Sequence, residues 1–152
     1  MARRHRAAAG GCLWCDQLKS ELANGERIVA DGGPWVAGVP FAARWPYEVH
    51  LVPRRHVGSL TDLTAEERAG LAHVLQTVVR RYDGLFGRLL PYVMAVHQAP
   101  SGGADLGYHL HLEFYPRHRT ESRLKFVAGS EVGAGVFVAD LRPEVMAARL
   151  RE

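Results

Sequence analysis

The chain has 152 residues, of which 47% are hydrophobic and 23% charged, and its formal net charge is +3. A chain of this length and composition is expected to form one globular domain with a sizeable hydrophobic core. No apolar run approaches the length of a membrane-spanning helix, and the basic N-terminus lacks the apolar core of a signal peptide. We therefore expect a cytoplasmic protein that does not enter a membrane.

The positive charge comes mainly from arginine, which accounts for 17 of the 19 basic residues. Such a charge fits a protein that binds phosphate-bearing ligands. The basic residues are not interleaved with aromatic residues, as they often are on nucleic-acid-binding surfaces. We therefore expect no nucleic-acid partner.

In chain order, residues 1–11 are basic and then rich in Ala and Gly, and we expect them to form a disordered leader. Residues 12–152 are expected to form a single domain, because no linker or internal repeat divides them. The segment CDQLKSELANGE has the spacing of a helix and reaches a stop signal at Asn24-Gly25. Three short β-like runs follow, separated by Gly or Pro: RIVA, WVAGV and EVHLVP.

The most regular helical pattern begins at a capping-box sequence, Thr64-Ala-Glu-Glu67, and continues with apolar residues near a 3.6-residue period. Two β-like segments, YVMAVH and GYHLHLEFYP, come next, and a final helix is expected around Pro143. This order predicts an α+β fold in which helices pack on an antiparallel sheet of about five strands.

The segment GYHLHLEFYP, residues 107–116, alternates between apolar and polar side chains. As a strand it directs its apolar residues to the core and places His109, His111 and Glu113 together on the other face. These three could be metal ligands, a nucleophile with assisting groups, or an inert polar face. His97 ends the preceding predicted strand, and it would approach His111 and Glu113 if the two strands pair.

Cys12 and Cys15 form a CxxC pair. In a chain without an export signal, such a pair is more typical of a zinc half-site or of reduced thiols than of a structural disulfide. His56 follows the segment LVPRR, and with His109 it would complete a Cys2His2 set of the kind that zinc prefers. The spacing alone does not require these four side chains to meet.

Lys125 is one of only two lysines, and it begins a segment of small residues that ends at Glu131. This pattern suits contact with a phosphate or a sugar hydroxyl, but it also fits an ordinary strand flanked by charges. Ser101, Gly102 and Gly103, in the loop before the histidine strand, could offer backbone N–H groups to a phosphate.

Several segments, in this order, resemble the C-terminal half of the galactose-1-phosphate uridylyltransferase family, within the histidine-triad superfamily. They are PFAARWPYEVHLVPRRHVGSLTDLTAEERAGLA, RRYDGLF, PYVMAVHQAP, YHLHLEFYP and LKFVAGSE. The resemblance implies a histidine-triad-like fold and uridylyl transfer between UDP-glucose and galactose 1-phosphate, through a uridylyl-histidine. Members of this family have two fused halves and usually form dimers, and their nucleophile belongs to a His-Pro-His motif of the N-terminal half. This chain has no His-Pro-His motif.

The resemblance implies a metal-binding role for one histidine set. His97 and His111 match two ligands of the family's second metal site, where Glu113 stands in the place of a third histidine, so zinc or iron is expected. Stand-alone histidine-triad hydrolases give a different alignment, in which His111 is the nucleophile that attacks a nucleotide α-phosphorus. The sequence leaves both roles of His111 open.

Two further sets of residues match motifs of these families. The uridylyltransferase segment that contacts the sugar phosphate corresponds to Lys125, Phe126 and Glu131, although Ser130 departs from the aromatic residue common there. Some histidine-triad proteins bind zinc through a CxxC pair, a histidine of a PxxH segment and the first histidine of the triad. In this chain those positions are Cys12, Cys15, His56 and His109.

We therefore expect a uridylyltransferase of the UDP-glucose–hexose-1-phosphate type in galactose metabolism, with His111 as its nucleophile. The chain would be a half-length or split member that works as a homodimer or with a separate N-terminal-half chain. One alternative is a stand-alone histidine-triad nucleotide hydrolase. Another is a non-catalytic metal-binding half that completes a partner's site.

Overall fold

The computed structural model describes residues 2–101 and 107–152, and within these ranges the chain forms five α-helices and one five-stranded sheet. The predicted α+β class is confirmed. The helices are α1 (Ala2–Ala9), α2 (Leu13–Asn24), α3 (Ala65–Leu85), α4 (Gly129–Ala134) and α5 (Pro143–Arg151), with a short 3-10 turn at Leu60–Asp62. The strands are β1 (Ile28–Asp31), β2 (Trp35–Gly38), β3 (Val49–Pro53), β4 (Tyr92–His97) and β5 (His111–Pro116).

The strands lie in the order β1-β2-β3-β5-β4, and every neighbouring pair is antiparallel. Because β5 lies between β3 and β4, His111 is paired with His97 and Glu113 is paired with His50. Side chains alternate along a strand, so these four residues share one face of the sheet.

The opposite face of the sheet packs against α3 and α5 and forms the hydrophobic core. Leu110, Leu112 and Phe114 were predicted to face the core, and each is at most 2% exposed. The helices contribute apolar residues spaced three or four apart, as expected for helices that bury one side. They include Val74, Val78 and Tyr82 of α3 and Met146 and Leu150 of α5.

The predicted ends of two helices are confirmed. Helix α2 stops before Gly25, which adopts a left-handed conformation with a φ of 74° and donates its N–H to Glu21 O at 2.8 Å. Helix α3 begins with the capping box: Thr64 Oγ1 accepts from the backbone N–H of Glu67, and the Glu67 carboxylate accepts from the backbone N–H of Thr64. Both motifs are specified by residues close together in the sequence, and the folded chain keeps both.

The N-terminal residues differ from the sequence prediction. A disordered leader was predicted for residues 1–11, whereas Ala2–Ala9 forms helix α1. Ala and Arg have high intrinsic helix propensity. In addition, His5 Nε2 lies 2.7 Å from a carboxylate oxygen of Asp16, which ties α1 to α2.

The predicted histidine strand also begins later than expected, at His111, so that His109 and Leu110 precede β5. The backbone N–H of Leu110 donates to Val57 O at 2.7 Å instead of joining the sheet ladder. No described helix combines the length and the apolar character needed to cross a membrane.

Candidate functional site

The sheet face opposite the core carries two groups of side chains with the donor atoms that metals use. One group is Cys12, Cys15, His56 and His109, and the other is His97, His111 and Glu113. Within each group, the donor atoms all lie within 4.8 Å of one another. The structure thus brings together both of the sets that the sequence proposed as metal ligands.

Local structure explains how the first group forms. Cys12 is the N-cap of α2 and Cys15 lies in its first turn, and residues three apart on a helix project from the same side. His56 lies just after β3 and His109 just before β5, and these two strands are neighbours in the sheet. The rings of His56 and His109 meet edge to face, with centroids 5.0 Å apart.

The distances in this group match tetrahedral coordination. His109 Nδ1 lies 3.5 Å from Cys12 Sγ and 3.4 Å from Cys15 Sγ, and His56 Nδ1 lies 3.6 Å from Cys15 Sγ. A tetrahedral zinc ion, with bonds of about 2.3 Å to sulfur and about 2.0 Å to nitrogen, separates a sulfur from a nitrogen ligand by about 3.5 Å. The four side chains therefore fit a metal ion of this kind.

The protonation of His109 also suits a metal ligand. Its Nε2–H donates to Pro53 O at 3.0 Å, which leaves the lone pair on Nδ1 directed at the two sulfur atoms. Burial lowers the pKa of His109 to about 4, so its imidazole is neutral at neutral pH. Burial, together with the neighbouring Cys12, raises the pKa of Cys15 to about 11, so a bound metal would have to displace the thiol proton.

The second group lies on β4 and β5 and centres on a carboxylate. His111 Nε2 lies 3.3 Å from Glu113 Oε1, and His97 Nε2 lies 3.4 Å from Glu113 Oε2. Tyr115 also donates its hydroxyl to Glu113 Oε2. Burial alone would raise the pKa of Glu113, but the hydrogen bond from His111 and the charges of the neighbouring histidines hold that pKa below its ordinary value.

His97 has a donor atom that the protein itself does not satisfy. Its Nε2 is buried, and apart from its 3.4 Å approach to Glu113 Oε2 it has no hydrogen-bond partner of normal geometry among the described residues. A buried polar atom without a partner is costly, and a bound cation would remove that cost. This observation fits metal binding by the second group.

The imidazole of His111 is held from several directions. Its Nδ1–H donates to the backbone oxygen of His109 at 2.8 Å, and Nε2 either donates to Glu113, when it is protonated, or carries the lone pair of the ring. The ring stacks on His97, with centroids 4.8 Å apart and planes 11° apart, and it also lies 4.0 Å from the ring of Trp14. Its orientation is therefore fixed, and Nε2 is directed at Glu113.

Several residues of this site were not predicted from the sequence. Trp14 and Tyr115 were not assigned a role. His50 was not assigned one either, yet its Nε2 lies 2.8 Å from Glu48 Oε1 and 3.7 Å from Glu113 Oε1. Strand alternation in EVHLVP already places Glu48 and His50 on one face, which is the signal that could have identified them.

The predicted sugar-phosphate segment lies outside these groups. Lys125 and Glu131 form a buried ion pair, with 2.9 Å between Nζ and Oε1, and Lys125 also donates to Arg44 O and Val138 O. Phe126, in contrast, is 78% exposed. The charges of Lys125 and Glu131 are thus directed at each other and at the backbone. Gly102 and Gly103, proposed as phosphate-binding donors, lie outside the described residues.

Comparison with known proteins places these features in a family. The model of the family described as "Galactose-1-phosphate uridyl transferase, C-terminal domain" matches residues 2–152. The galactose-1-phosphate uridylyltransferase of Thermotoga maritima is 41% identical over 143 residues, which is 93% of this chain and 44% of that protein. That of Haemophilus influenzae is 41% identical over 144 residues, or 93% of this chain and 41% of that protein.

Comparison with solved structures supports the same family. A uridylyltransferase structure superposes with a TM-score of 0.89 at 40% identity and covers 99% of this chain and 47% of its own. A zinc-bound histidine triad family protein from Mycobacterium smegmatis has a TM-score of 0.58 at 20% identity, which shows the histidine-triad-like fold alone. The chain spans less than half the length of the curated relatives named above. It belongs to the galactose-1-phosphate uridylyltransferase family and matches its C-terminal domain.

Proposed function

We propose that the chain takes part in uridylyl transfer between a UDP-sugar and a hexose 1-phosphate, as a domain of the uridylyltransferase C-terminal type. The observation that carries this proposal is the superposition of nearly the whole chain on about half of a uridylyltransferase. The named relatives are about twice as long, so a complete site of this kind would include residues that these 152 do not supply.

His111 is the proposed nucleophile within this chain. In the first step, a bond forms between His111 Nε2 and the α-phosphorus, while the bond from that phosphorus to the bridging oxygen breaks and hexose 1-phosphate leaves. In the second step, a phosphate oxygen of another hexose 1-phosphate attacks the same phosphorus and releases His111. The Nδ1–H bond to the backbone oxygen of His109 supports the proposal, because it stabilises the positive ring of the intermediate.

Glu113 would repel the phosphates of the substrate if its charge were not offset. His50 and His97 both face the Glu113 carboxylate, and Tyr115 donates a hydrogen bond to it. These contacts support a site in which neighbouring groups offset the negative charge of the carboxylate, and the carboxylate orients His111.

We assign zinc to the cluster of Cys12, Cys15, His56 and His109. Sulfur and imidazole donors are those that zinc prefers, and when bound the ion would stabilise the junction of α2 with the sheet. His97, His111 and Glu113 form the alternative second site, for which zinc or iron is the proposed metal. Occupation of that second site would make His111 a metal ligand, and His111 would then not be the nucleophile.

A specific observation favours a second candidate function, in which the chain completes a partner's site. The segment proposed to contact the sugar phosphate uses Lys125 and Glu131 internally, yet it presents Phe126 to solvent. Several apolar side chains near it in sequence are also exposed, which is typical of a surface covered by another chain. They are Val127, Val132, Val136, Phe137 and Val138.

The test is to incubate the purified chain with UDP-glucose labelled in the uridylyl group and to look for an acid-labile uridylyl-histidine. We expect label on the wild type and on His73→Ala, which changes an exposed histidine of α3, and no label on His111→Ala. If the wild type stays unlabelled at high protein concentration, the isolated chain is not a uridylyltransferase and the partner role is favoured. Release of nucleoside monophosphate without exchange would instead indicate a histidine-triad hydrolase.

A further inference from the structure

Trp14 lies between the two cysteines of the CxxC pair, and its ring covers His111. The two ring centroids are 4.0 Å apart, with planes inclined by 32°, and the Trp14 ring also lies 5.5 Å from the ring of His50. Aromatic and imidazole rings at such distances are in direct contact. Trp14 therefore packs against the ring of His111, which His97 of β4 also contacts.

Few contacts hold Trp14 in this place. Helix α2, which carries Trp14, has half-buried residues but no fully buried one, so hydrophobic packing holds it less firmly than it holds α3 or α5. Near its C-terminal end, Glu21 pairs with Arg27. At its N-terminal end, besides the ring contacts of Trp14 itself and the contact of Asp16 with His5, Cys12 and Cys15 contact His56 and His109.

Without a metal, these sulfur–nitrogen contacts at 3.4–3.6 Å are weak hydrogen bonds. Coordination bonds from the same four atoms would be far stronger, and they would fix the backbone of Cys12 and Cys15 on both sides of Trp14. The position of the Trp14 ring thus depends on the state of the cysteine cluster.

We infer that Trp14 is a positioning residue for His111 and that metal binding by the Cys12–Cys15 cluster acts on His111 through it. The inference rests on the proposed function only for the role of His111 as nucleophile. The coupling between the cysteine cluster and the Trp14 ring is inferred from the contacts described above. Trp14 touches His111 and does not need to touch the substrate.

The test measures the rate at which diethylpyrocarbonate modifies each histidine, read by peptide mass spectrometry, in the zinc-loaded chain. We expect Trp14→Ala to speed modification of His111 about threefold to tenfold, the range that an aromatic contact of this kind controls. Trp14→Phe, which keeps a ring, should restore most of the protection. The exposed His73 is the internal control, and its rate should not change.

A second arm of the same experiment tests the link to the metal. Removing zinc with a chelator should speed modification of His111 in the wild type, and it should add little in Trp14→Ala, because the transmitting ring is already absent. If chelation has the same effect in both proteins, the metal acts on His111 by another route and the inference is wrong. The inference is also wrong if diethylpyrocarbonate modifies His111 of zinc-loaded Trp14→Ala at the wild-type rate.

Circular dichroism checks that each variant is folded, and Trp14→Leu replaces Trp14→Ala if that variant is not. The wild type also offers a direct measurement, in which acrylamide quenching of Trp14 is obtained by subtracting the signal of Trp14→Phe. Chelation should increase this quenching, and unchanged quenching would contradict the inference. None of these measurements uses UDP-glucose, so their outcome is separate from that of the labelling experiment.

Discussion

At the scale of single residues, the two nitrogens of His109 have different partners. Nε2–H donates to Pro53 O, and Nδ1 faces the sulfur atoms of Cys12 and Cys15. The surrounding burial keeps the ring neutral, because it lowers the pKa of His109 to about 4. A neutral imidazole with its lone pair directed at two sulfurs is arranged as a metal ligand.

Replacing Cys15 tests the proposed zinc ligands. We expect the purified wild type to hold about one zinc ion per chain at this cluster, and Cys15→Ser to lose most of it because a neutral hydroxyl is a poor zinc ligand. Elemental analysis by mass spectrometry measures the zinc content. His73→Ala is the control and should keep the wild-type content. Unchanged zinc in Cys15→Ser would refute the four-ligand set.

At the scale of secondary-structure elements, the start of α3 shows a local motif joined to a tertiary contact. Glu67 accepts from the backbone N–H of Thr64, and it also pairs with Arg55 at 2.7 Å. The hydrogen bonds from Arg55 and from the backbone of Thr64 lower the pKa of Glu67 to about 2. The ionised form of Glu67 is therefore favoured by folding.

This pKa shift predicts how stability depends on pH. Because the pKa of Glu67 is lower in the folded than in the unfolded chain, its contribution is complete above about pH 4.5 and is lost as the pH falls towards 2. Glu67→Gln should therefore lower the unfolding temperature at pH 7 by a few degrees, and the difference from the wild type should shrink between pH 5 and pH 2. Thermal unfolding followed by circular dichroism measures both. A difference that stays constant with pH would contradict the assignment.

Elements specified by nearby residues were predictable from the sequence. The capping box at Thr64, the left-handed stop at Gly25 and the alternation of Leu110 and Leu112 all follow from contacts within a few residues. The stacking of Trp14 on His111 was not predictable, because it joins residues 97 positions apart.

The internal pairing of Lys125 is a similar case. The sequence showed a lysine and a glutamate flanking small residues, and a ligand contact was as consistent with that pattern as an ion pair. Which one forms depends on helix α4, which brings Glu131 back to Lys125, and on the carbonyl group of Arg44 from a distant loop. Periodicity carries no information about such a contact.

At the scale of the whole molecule, strand β4 lies at the end of the sheet and presents apolar side chains to solvent. Val93 is 62% exposed, and Met94 and Val96 are each more than 40% exposed. An exposed apolar edge strand readily pairs with another chain. We therefore expect this edge to contact a second copy of the chain.

A charge on this edge should weaken such an association. We expect Val93→Lys to lower the fraction of dimer seen by sedimentation velocity, because it places a charged group in an apolar contact. The matched control is Gln76→Lys, which adds the same charge at an exposed position of α3. If both variants associate like the wild type, β4 is not the contact surface.

The central claim is that this chain takes part in uridylyl transfer with His111 as the nucleophile, and isotope exchange tests this claim most directly. Labelled glucose 1-phosphate is mixed with unlabelled UDP-glucose and the purified chain, without a second hexose 1-phosphate. A route through uridylyl-His111 predicts that label appears in UDP-glucose with the wild type and His73→Ala and not with His111→Ala. Absence of label in UDP-glucose with the wild type, at protein concentrations comparable to that of the substrate, would contradict the claim.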